Sequence, residues 1–467
     1  MSEERHDQTR EMLVPLNLRT YRLGIANGIF AFTASRLADP NTILPLLIHR
    51  LSGAAWVVGA VLGLKGLVEA LAQVVVARGL DAQERKKPAY TIGALLRAAT
   101  YFTIAAVLWF FASIPAPVVF AVFVLALLGY RAGLAIAGLA ISDIIAKSVP
   151  TTRRGSFHMW RRLSALVVVF LGVSPFVSWM IGPEGPVTFP LNFGVLFAAS
   201  ATANVLAWLL FAQVREPPSR AAERKLSWNE HLRSGLTVYR NDRCYRRVIR
   251  IRLLVGIAAA VRPFLVVFAT DTWHLTDDVA ATFIAIQVCA EFLGAAIAGR
   301  ISDRVGNRSA IIFMIWSLIL CCGAAVLASM GSWDVPLALF TRQISLQIII
   351  LGAAFVGSGL FLASLTIGYD NYLMDIAPEE QRPSYIGFST AFTVPLTIAP
   401  MLYGWGADLF GYQPVFISAF ILVTATLYLF LQLPEPRDGL TQVDLERSSP
   451  PPSNGEGGPG QPGSAMR

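Results

Sequence analysis

The chain has 467 residues, of which 55% are hydrophobic and only 15% charged, and it carries a formal net charge of +8. A soluble protein of this size has about a quarter of its residues charged, so the composition excludes a set of soluble domains and indicates a polytopic membrane protein. The positive charge does not indicate a nucleic-acid partner, because the basic residues lie mostly in loops between apolar segments.

Apolar segments that are long enough to cross a bilayer recur along the chain, and a spanning helix needs about 20 mostly apolar residues. Twelve segments meet this condition: 21–49, 54–78, 89–112, 117–146, 159–182, 190–213, 248–274, 279–299, 309–330, 344–374, 383–406 and 412–433. Several of them contain proline, and we expect these prolines to kink the helices rather than end them. They are Pro45, Pro175, Pro263 and Pro395.

The basic residues predict the orientation of these spans. Alternate loops hold most of the Lys and Arg residues outside the spans, whereas the opposite loops hold only Arg50 and Arg342. By the positive-inside rule both termini are cytoplasmic, as in a multi-pass protein of a plasma (inner) membrane. Residues 1–20 are polar and lack the apolar core of a cleaved signal peptide.

This spacing predicts two six-helix bundles, at 21–213 and 248–433, with cytoplasmic residues 1–20 before them. Residues 214–247 form a cytoplasmic linker, in which Ser227–Glu230 resembles a capping box that opens an amphipathic helix at the membrane surface. Residues 434–467 are rich in Pro, Gly and Ser and are expected to be disordered. The predicted fold class is therefore an all-α polytopic membrane protein.

A short polar segment, Gly299–Arg308, separates two long apolar runs. It reads Gly-Arg-Ile-Ser-Asp-Arg-Val-Gly-Asn-Arg. We expect Gly299 to allow close backbone approach and Gly306 to allow a sharp turn. Asp303 lies among basic residues, where its carboxylate can pair with a guanidinium or cap the next helix.

The pattern Gly-x-x-x-Asp-Arg-x-Gly-x-Arg resembles the cytoplasmic signature loop of the major facilitator superfamily. The resemblance implies two bundles related by a pseudo-two-fold axis, which move a solute by alternating access. It implies that the residues of this loop form a cytoplasmic gate: Gly299, Asp303, Arg304, Gly306 and Arg308. Asp143 and Asp375, near the basic residues Arg153, Arg154 and Arg382, resemble a salt-bridge latch of the same gate, although ordinary surface pairing is an equally good interpretation.

The two halves repeat each other. Glu69 and Glu291, Lys65 and Gln287, and Asp81 and Asp303 are each separated by 222 residues. Pro150–Phe157 also aligns with Pro378–Tyr385. The first copy of the signature loop keeps Asp81, which we assign to the gate, but loses the second glycine.

Ionisable side chains inside a span are costly, by about 2.5–3.5 kcal/mol on insertion scales, and they mark functional sites. Six lie near half depth: Arg36, Lys65, Glu69, Arg131, Arg262 and Glu291. The resemblance places three of the arginines on helices that line the central cavity. Four cations against two carboxylates leave the cavity positive, although Asp39, one turn from Arg36, can reduce that surplus. Guanidinium groups bind carboxylate or phosphate in bidentate fashion, so we predict an anion site that also includes Tyr130 and Gln287.

Glu69 and Glu291 are candidate proton carriers, because burial of a carboxyl group favours its protonated form. Alternatively, Glu69 pairs with Lys65 on one helix face and is a fixed counter-ion that carries no proton. We find no nucleophile elbow, phosphate-binding glycine loop or His–Cys cluster, so the sequence predicts no enzyme, catalytic residue, metal or cofactor. The expected partners are a small-molecule substrate, the lipid bilayer and a coupling proton, and a monomer is sufficient.

Two other functions remain open. An exporter of amphipathic or cationic compounds would prefer the opposite substrate charge, and the fifth span lacks the Gly-Pro-x-x-Gly-Gly pattern of drug–proton antiporters. A transport-inactive assembly or sensing protein with the same fold would bind a partner and carry no solute.

Overall fold

The computed structural model describes residues 18–80, 83–149, 151–217, 237, 239–339, 342–377, 385, 389 and 392–434. The chain described there is almost entirely helical, and we number its helices in chain order. Large apolar side chains remain exposed on the outer faces of the helices. Helices satisfy their own backbone hydrogen bonds, which is the condition for spanning the hydrocarbon core.

The described residues of the N-terminal half form eight α-helices. They are α1 Leu18–Leu37, α2 Ile43–Ser52, α3 Ala55–Leu80, α4 Lys87–Trp109, α5 Ala116–Ser148, α6 Thr151–Val168, α7 Ser174–Ile181 and α8 Leu191–Ala212. A π-helical turn, Val169–Val173, joins α6 to α7, so the fifth span continues through Pro175 as expected.

The C-terminal half repeats this arrangement. Its helices are α9 Arg243–Ala259, α10 Phe264–Asp271, α11 Val279–Arg304, α12 Asn307–Ser329, α13 Leu346–Ser364, α14 Asn371–Ile376, α15 Ala399–Phe410 and α16 Tyr412–Leu431. A π-helical turn, Leu365–Asp370, links α13 to α14. A short antiparallel hairpin, β1 Pro336–Leu339 and β2 Arg342–Ser345, connects α12 to α13 and was not expected.

Ten helical segments of the described residues are long and apolar enough to cross a membrane. They correspond to the predicted second to tenth and twelfth spans. The predicted first span is divided between α1 and α2, and the eleventh lies partly outside the described residues. The seventh span is interrupted at residues 260–263, because α9 ends at Ala259 and Pro263 is the N-cap residue of α10, whereas we expected only a kink at Pro263.

The two halves meet closely at the end of the bundle where α2 ends and α3 begins, which we call the outer end. Here α3 packs against α15 through glycines. A Cβ atom on Gly59 would lie 2.1 Å from the carbonyl oxygen of Pro400, and one on Gly404 would lie 2.3 Å from that of Ala55. Because the contacting atoms belong to backbone, no larger residue fits without separating the two halves.

Charged groups also hold the halves together at the outer end. Asp408, near the end of α15, accepts hydrogen bonds from the backbone amides of Ala55 (2.9 Å) and Trp56 (2.7 Å) at the start of α3. Arg50 forms a 2.7 Å ion pair with Asp277 across the same boundary. The outer end is therefore closed in this structure.

The turn between α11 and α12 differs in part from expectation. Gly306 has a φ of 125°, which confirms that it makes a sharp turn. A Cβ atom on Gly299 would have no atom within 4 Å, so the expectation of close backbone approach there is wrong. Gly306 is the N-cap residue of α12, and the pairing or capping role of Asp303 stays a prediction. The predicted linker helix (apart from its last residues) and the predicted disordered tail lie outside the described residues.

Candidate functional site

The break between α1 and α2 is organised by one carboxylate. Asp39 is fully buried. Its Oδ1 accepts hydrogen bonds from the backbone amide of Asn41 (2.9 Å) and the hydroxyl of Thr42 (3.2 Å), and Oδ2 accepts one from Arg36 (2.8 Å). An Asp-Pro sequence favours such a turn. The chain thus leaves the helix beside Arg36, and Asp39 neutralises that arginine as the sequence analysis allowed.

Arg36 also connects the two halves. Its Nη2 atom donates a 2.5 Å hydrogen bond to Oε2 of Glu291 on α11. The side chains of Arg36 and Glu291 are 11% and 23% exposed, so the pair lies largely away from water. A buried pair of this kind is costly to break from one side, because the remaining charge loses its partner.

Arg131 on α5 forms the second ion pair of the region, with Glu69 on α3 at 3.2 Å. Glu69 therefore pairs with Arg131, in place of the alternative pairing with Lys65. Lys65 lies within electrostatic range of Asp39, Glu69, Arg131 and Arg262. These contacts bring the predicted intramembrane charges of both halves together. We call the resulting group the central cluster; its members are Arg36, Asp39, Lys65, Glu69, Arg131, Arg262 and Glu291.

Arg262 stands at the break between α9 and α10. Its Nε donates to the carbonyl oxygen of Ala259 (2.9 Å), its guanidinium lies 5.0 Å from the ring centre of Phe361, and its buried Nη1 has no hydrogen-bond partner in the described part of the chain. Gln287 on α11 is 1% exposed, and both atoms of its amide group are likewise unpartnered. Unsatisfied buried polar groups call for a ligand or ordered water.

Two cavities adjoin the cluster. The larger, of about 640 Å³, lies between α1 and α6 of the N-terminal half and α11 of the C-terminal half. The charged residues that line it are the Arg36–Glu291 pair, Arg162 and Arg300. Its size and its mixture of apolar walls with a few charged groups are typical of a small-molecule site.

The smaller cavity, of about 280 Å³, lies inside the N-terminal half. Its polar lining includes Tyr130 and three arginines, Arg97, Arg131 and Arg161. The sequence analysis missed Arg97, although its position within the predicted span 89–112 was the same signal that singled out Arg131. The sequence analysis also left Arg161 unassigned, although it lies near the start of the predicted span 159–182; it is carried by α6.

The structure changes the expected pairing at the gate. Asp143 forms an ion pair with Lys147, one turn further along α5, which is a surface pairing of the kind that the sequence analysis gave as its alternative. Asp375 accepts a 2.6 Å hydrogen bond from Asn307 at the start of α12. Asp375 thereby connects α14 to the turn at Gly299–Arg308 through the side-chain amide of Asn307, a residue that the sequence analysis had not assigned.

The other gate residues are placed as follows. The guanidinium of Arg308 lies 5.0 Å from the ring centre of Phe430. Asp303 and Arg304 are exposed at the end of α11. Asp81 and Arg382 lie outside the described residues. The role of all these residues in a gate stays a prediction.

Known proteins resemble this chain in sequence over part of its length. Residues 253–454 match the family model of the Major Facilitator Superfamily. Sugar efflux transporter B of Salmonella typhimurium is 21% identical over 265 residues, which cover 55% of this chain and 60% of that protein. The Bacillus subtilis protein YyaJ, a metabolite transport protein by name, is 25% identical over 152 residues, which cover 32% of this chain and 30% of YyaJ. The chain thus matches less than two thirds of the length of either relative.

Solved structures resemble it over nearly the whole fold. A point mutant of the nucleoside transporter NupG superposes with a TM-score of 0.65 at 15% identity, covering 88% of this chain and 99% of NupG. A bacterial homologue of the iron transporter ferroportin, in an inward-facing state, superposes with a TM-score of 0.64 at 12% identity, covering 89% and 99%.

The helices, their two repeated halves and these likenesses define an α-helical, multi-pass membrane protein with the fold of membrane transporters. The turn at Gly299–Arg308 lies within the residues that match the family model. The sequence likeness to the major facilitator superfamily covers residues 253–454, and the likeness to the solved transporters is one of fold.

Proposed function

We propose that the protein is a secondary transporter that moves a small anion across the membrane by alternating access. The observation that carries this proposal is a surplus of positive charge in the central cluster. Four cations face three carboxylates, and each carboxylate is associated with an arginine. No carboxylate of the described residues lies within 4 Å of Lys65 or Arg262, so these two cations are the best candidates to bind an anion.

The same distribution disfavours a cationic solute. Asp39 is fully buried beneath Arg36, while Glu69 and Glu291 each have a guanidinium within hydrogen-bonding distance. A cation would have to displace an arginine from its carboxylate, which costs the energy of an established pair. An anion needs no such displacement, because Nη1 of Arg262 has an unused hydrogen-bond donor.

Glu291 is the better of the two candidates for coupling to protons. Its pair with Arg36 spans the two halves, whereas Glu69 pairs within one half. Protonation of Glu291 would release the C-terminal half, while Asp39 would still neutralise Arg36. A proton on this carboxyl group is therefore the kind of local change that biases a two-state element.

Transport by purified protein in proteoliposomes tests the proposal. The probes are phosphate, succinate, lactate, glucose and the lipophilic cation tetraphenylphosphonium. We expect uptake of at least one anion, and a loss of at least about tenfold in Lys65→Ala and Arg262→Ala, because each removes a charged hydrogen-bond donor. Arg250→Ala is the matched control, since Arg250 is exposed on α9.

Three results would count against the anion proposal. Anion uptake unchanged in both variants would exclude the central cluster as the site. Uptake of the cation alone would favour the exporter of cationic compounds. A melting temperature that no probe raises, together with no flux, would favour the transport-inactive alternative, because a ligand that binds the folded state must stabilise it.

A further inference from the structure

The cavity inside the N-terminal half has a charge that its own walls do not balance. Three guanidinium groups line it, and no Asp or Glu is among its lining residues. Only Arg131 has a carboxylate partner, Glu69. No carboxylate in the described part of the chain lies within 4 Å of Arg97 or Arg161. Two positive charges on the cavity wall are therefore uncompensated by the described carboxylates, which is costly for buried groups without a counter-charge.

Neutral groups position these two arginines. Nη2 of Arg97 donates to the hydroxyl of Tyr130 (3.3 Å), and its guanidinium lies 5.3 Å from the ring centre of the same tyrosine. Tyr130 is held in turn by stacking on Tyr101, with ring centres 3.8 Å apart. The side chain of Arg97 is thus fixed at the wall while its charge is left uncancelled.

Arg161, which is carried by α6, is positioned in the same way. Its Nη2 donates to Oδ1 of Asn27 (3.0 Å), and Asn27 is itself anchored through its Nδ2 to Tyr90 and the carbonyl oxygen of Ala207. The Nε atoms of Arg97, Arg131 and Arg161 are all buried without a hydrogen-bond partner among the described residues. Fixed donors with unused hydrogen-bonding capacity are the features of a preorganised anion site.

The repeat indicates that this site belongs to the N-terminal half alone. The alignment of Pro150–Phe157 with Pro378–Tyr385 pairs Arg131 with Gly359 and Arg161 with Ser389. At Gly359 a Cβ atom would lie 2.3 Å from the carbonyl oxygen of Gln287, so backbone packing occupies the place that Arg131 takes in the other half. A purely structural role in the shared fold would not require arginine at these positions.

We propose that this cavity binds a small dianion whose charge is carried by oxygen atoms, such as a phosphate or a dicarboxylate. Two uncompensated guanidinium charges set the ligand charge at two, and the volume of about 280 Å³ restricts the ligand to a small molecule. Forked guanidinium donors suit either oxyanion. The site goes beyond the proposed function, because its walls come from one half and its occupancy does not depend on transport.

Gly138 offers a direct probe of occupancy. It lines the cavity, and a Cβ atom there would have open space around it, so Gly138→Cys is sterically tolerated. Labelling of this cysteine in the full-length protein by a hydrophilic thiol reagent is followed by peptide mapping, which separates it from the native cysteines. Phosphate and succinate are compared with chloride at equal ionic strength.

We expect phosphate or succinate, but not chloride, to slow labelling several-fold, and Arg97→Gln or Arg161→Gln to remove this protection. Arg250→Gln should preserve it. Calorimetric titration of phosphate or succinate into the protein with and without Arg161→Gln is a second readout, in which affinity should fall at least about tenfold. Arg161→Lys, which keeps the charge, should recover part of it.

Labelling and titration that respond to neither dianion would overturn the proposal, as would protection that survives both arginine substitutions. Loss of protection in Arg262→Gln would move the ligand to the central cluster and also overturn it. If Arg262→Gln abolishes transport but keeps protection, the two sites are separate. Failure of transport in the unmodified protein would count against the proposed function alone.

Discussion

The carboxylate of Asp408 accepts a 2.7 Å hydrogen bond from the backbone amide of Trp56, so a residue of the C-terminal half caps a helix of the N-terminal half. The free amides at a helix N-terminus carry partial positive charge and bind carboxylates well. This cap exists only while the outer end is closed. It therefore stabilises this conformation against one in which the outer end is open.

Asp408→Ala should shift the protein toward an open outer end. Loss of a cap costs about 1 kcal/mol, which corresponds to about fivefold in a two-state equilibrium. Spin labels on Ser113→Cys and Met330→Cys, at the outer ends of the two halves and with the native cysteines replaced, report the separation. Glu184→Ala is the control, because it removes an exposed carboxylate near the same end. An identical distance distribution in both variants would refute the role of the cap.

Arg36→Ala should lower the free energy of unfolding by about 3 kcal/mol, because it leaves the buried carboxylate of Asp39 without its counter-ion. Asp39→Asn in the same chain should restore much of this loss, since an amide oxygen still accepts the hydrogen bonds from Asn41 and Thr42. Thermal unfolding in detergent measures both effects. Strict additivity of the two substitutions would contradict the coupling.

Glu291→Gln should separate transport from the proton gradient. The amide keeps the size of the side chain but cannot gain or lose a proton, so exchange of substrate should continue while accumulation driven by a pH gradient disappears. Glu69→Gln is the matched variant, because its partner lies in the same half. The measurement is uptake into proteoliposomes with an imposed pH gradient. Accumulation that persists in Glu291→Gln would exclude this residue as the carrier.

Gly28→Ala should weaken dianion binding without removing any charge. A Cβ atom on Gly28 would lie 1.9 Å from Cγ of Arg161, so the methyl group must displace that side chain. A lost hydrogen bond to a charged group corresponds to a loss of affinity of about tenfold. Gly138→Ala is the control, because its Cβ atom meets open space. Equal phosphate affinity in the two variants would argue against Arg161 as a ligand.

Gly59→Ala should prevent the outer end from closing as it does here. The new methyl group would meet the backbone of Pro400, which side-chain rotation cannot relieve, and overpacking of this kind costs about 1–3 kcal/mol. We expect a slower transport cycle and a lower melting temperature. Gly172→Ala, where the Cβ atom has no neighbour within 4 Å, should change neither. Normal transport by Gly59→Ala would mean that this contact does not form in the working cycle.

Hydropathy predicted the spans well because a membrane helix must be apolar over its whole length, and this property is local. The break after Arg36 was harder to predict. Asp39 ends the helix only because Arg36, Asn41 and Thr42 all hydrogen bond to it, and an Asp-Pro pair in an apolar run does not specify that arrangement. The helix also breaks between Ala259 and Pro263, whereas the fifth span continues through Pro175.

The site was predicted residue by residue but not pair by pair. Arg36 and Glu291 are separated by 255 positions, and no periodicity relates them. Their contact depends on how the halves pack, as does the exchange of Lys65 for Arg131 as the partner of Glu69. The sequence could identify the costly charges in the spans, but it could not assign which of them neutralise each other.

Arg131 belongs to both sites, because it pairs with Glu69 in the central cluster and also lines the cavity of the N-terminal half. Any dianion that draws on its guanidinium must alter the electrostatic environment of Glu69, and the reverse holds equally. Thermodynamic linkage makes such an influence reciprocal and equal in free energy. Ligand binding in the cavity should therefore change the strength of the Arg131–Glu69 pair, and loss of that pair should change the ligand affinity by the same coupling free energy.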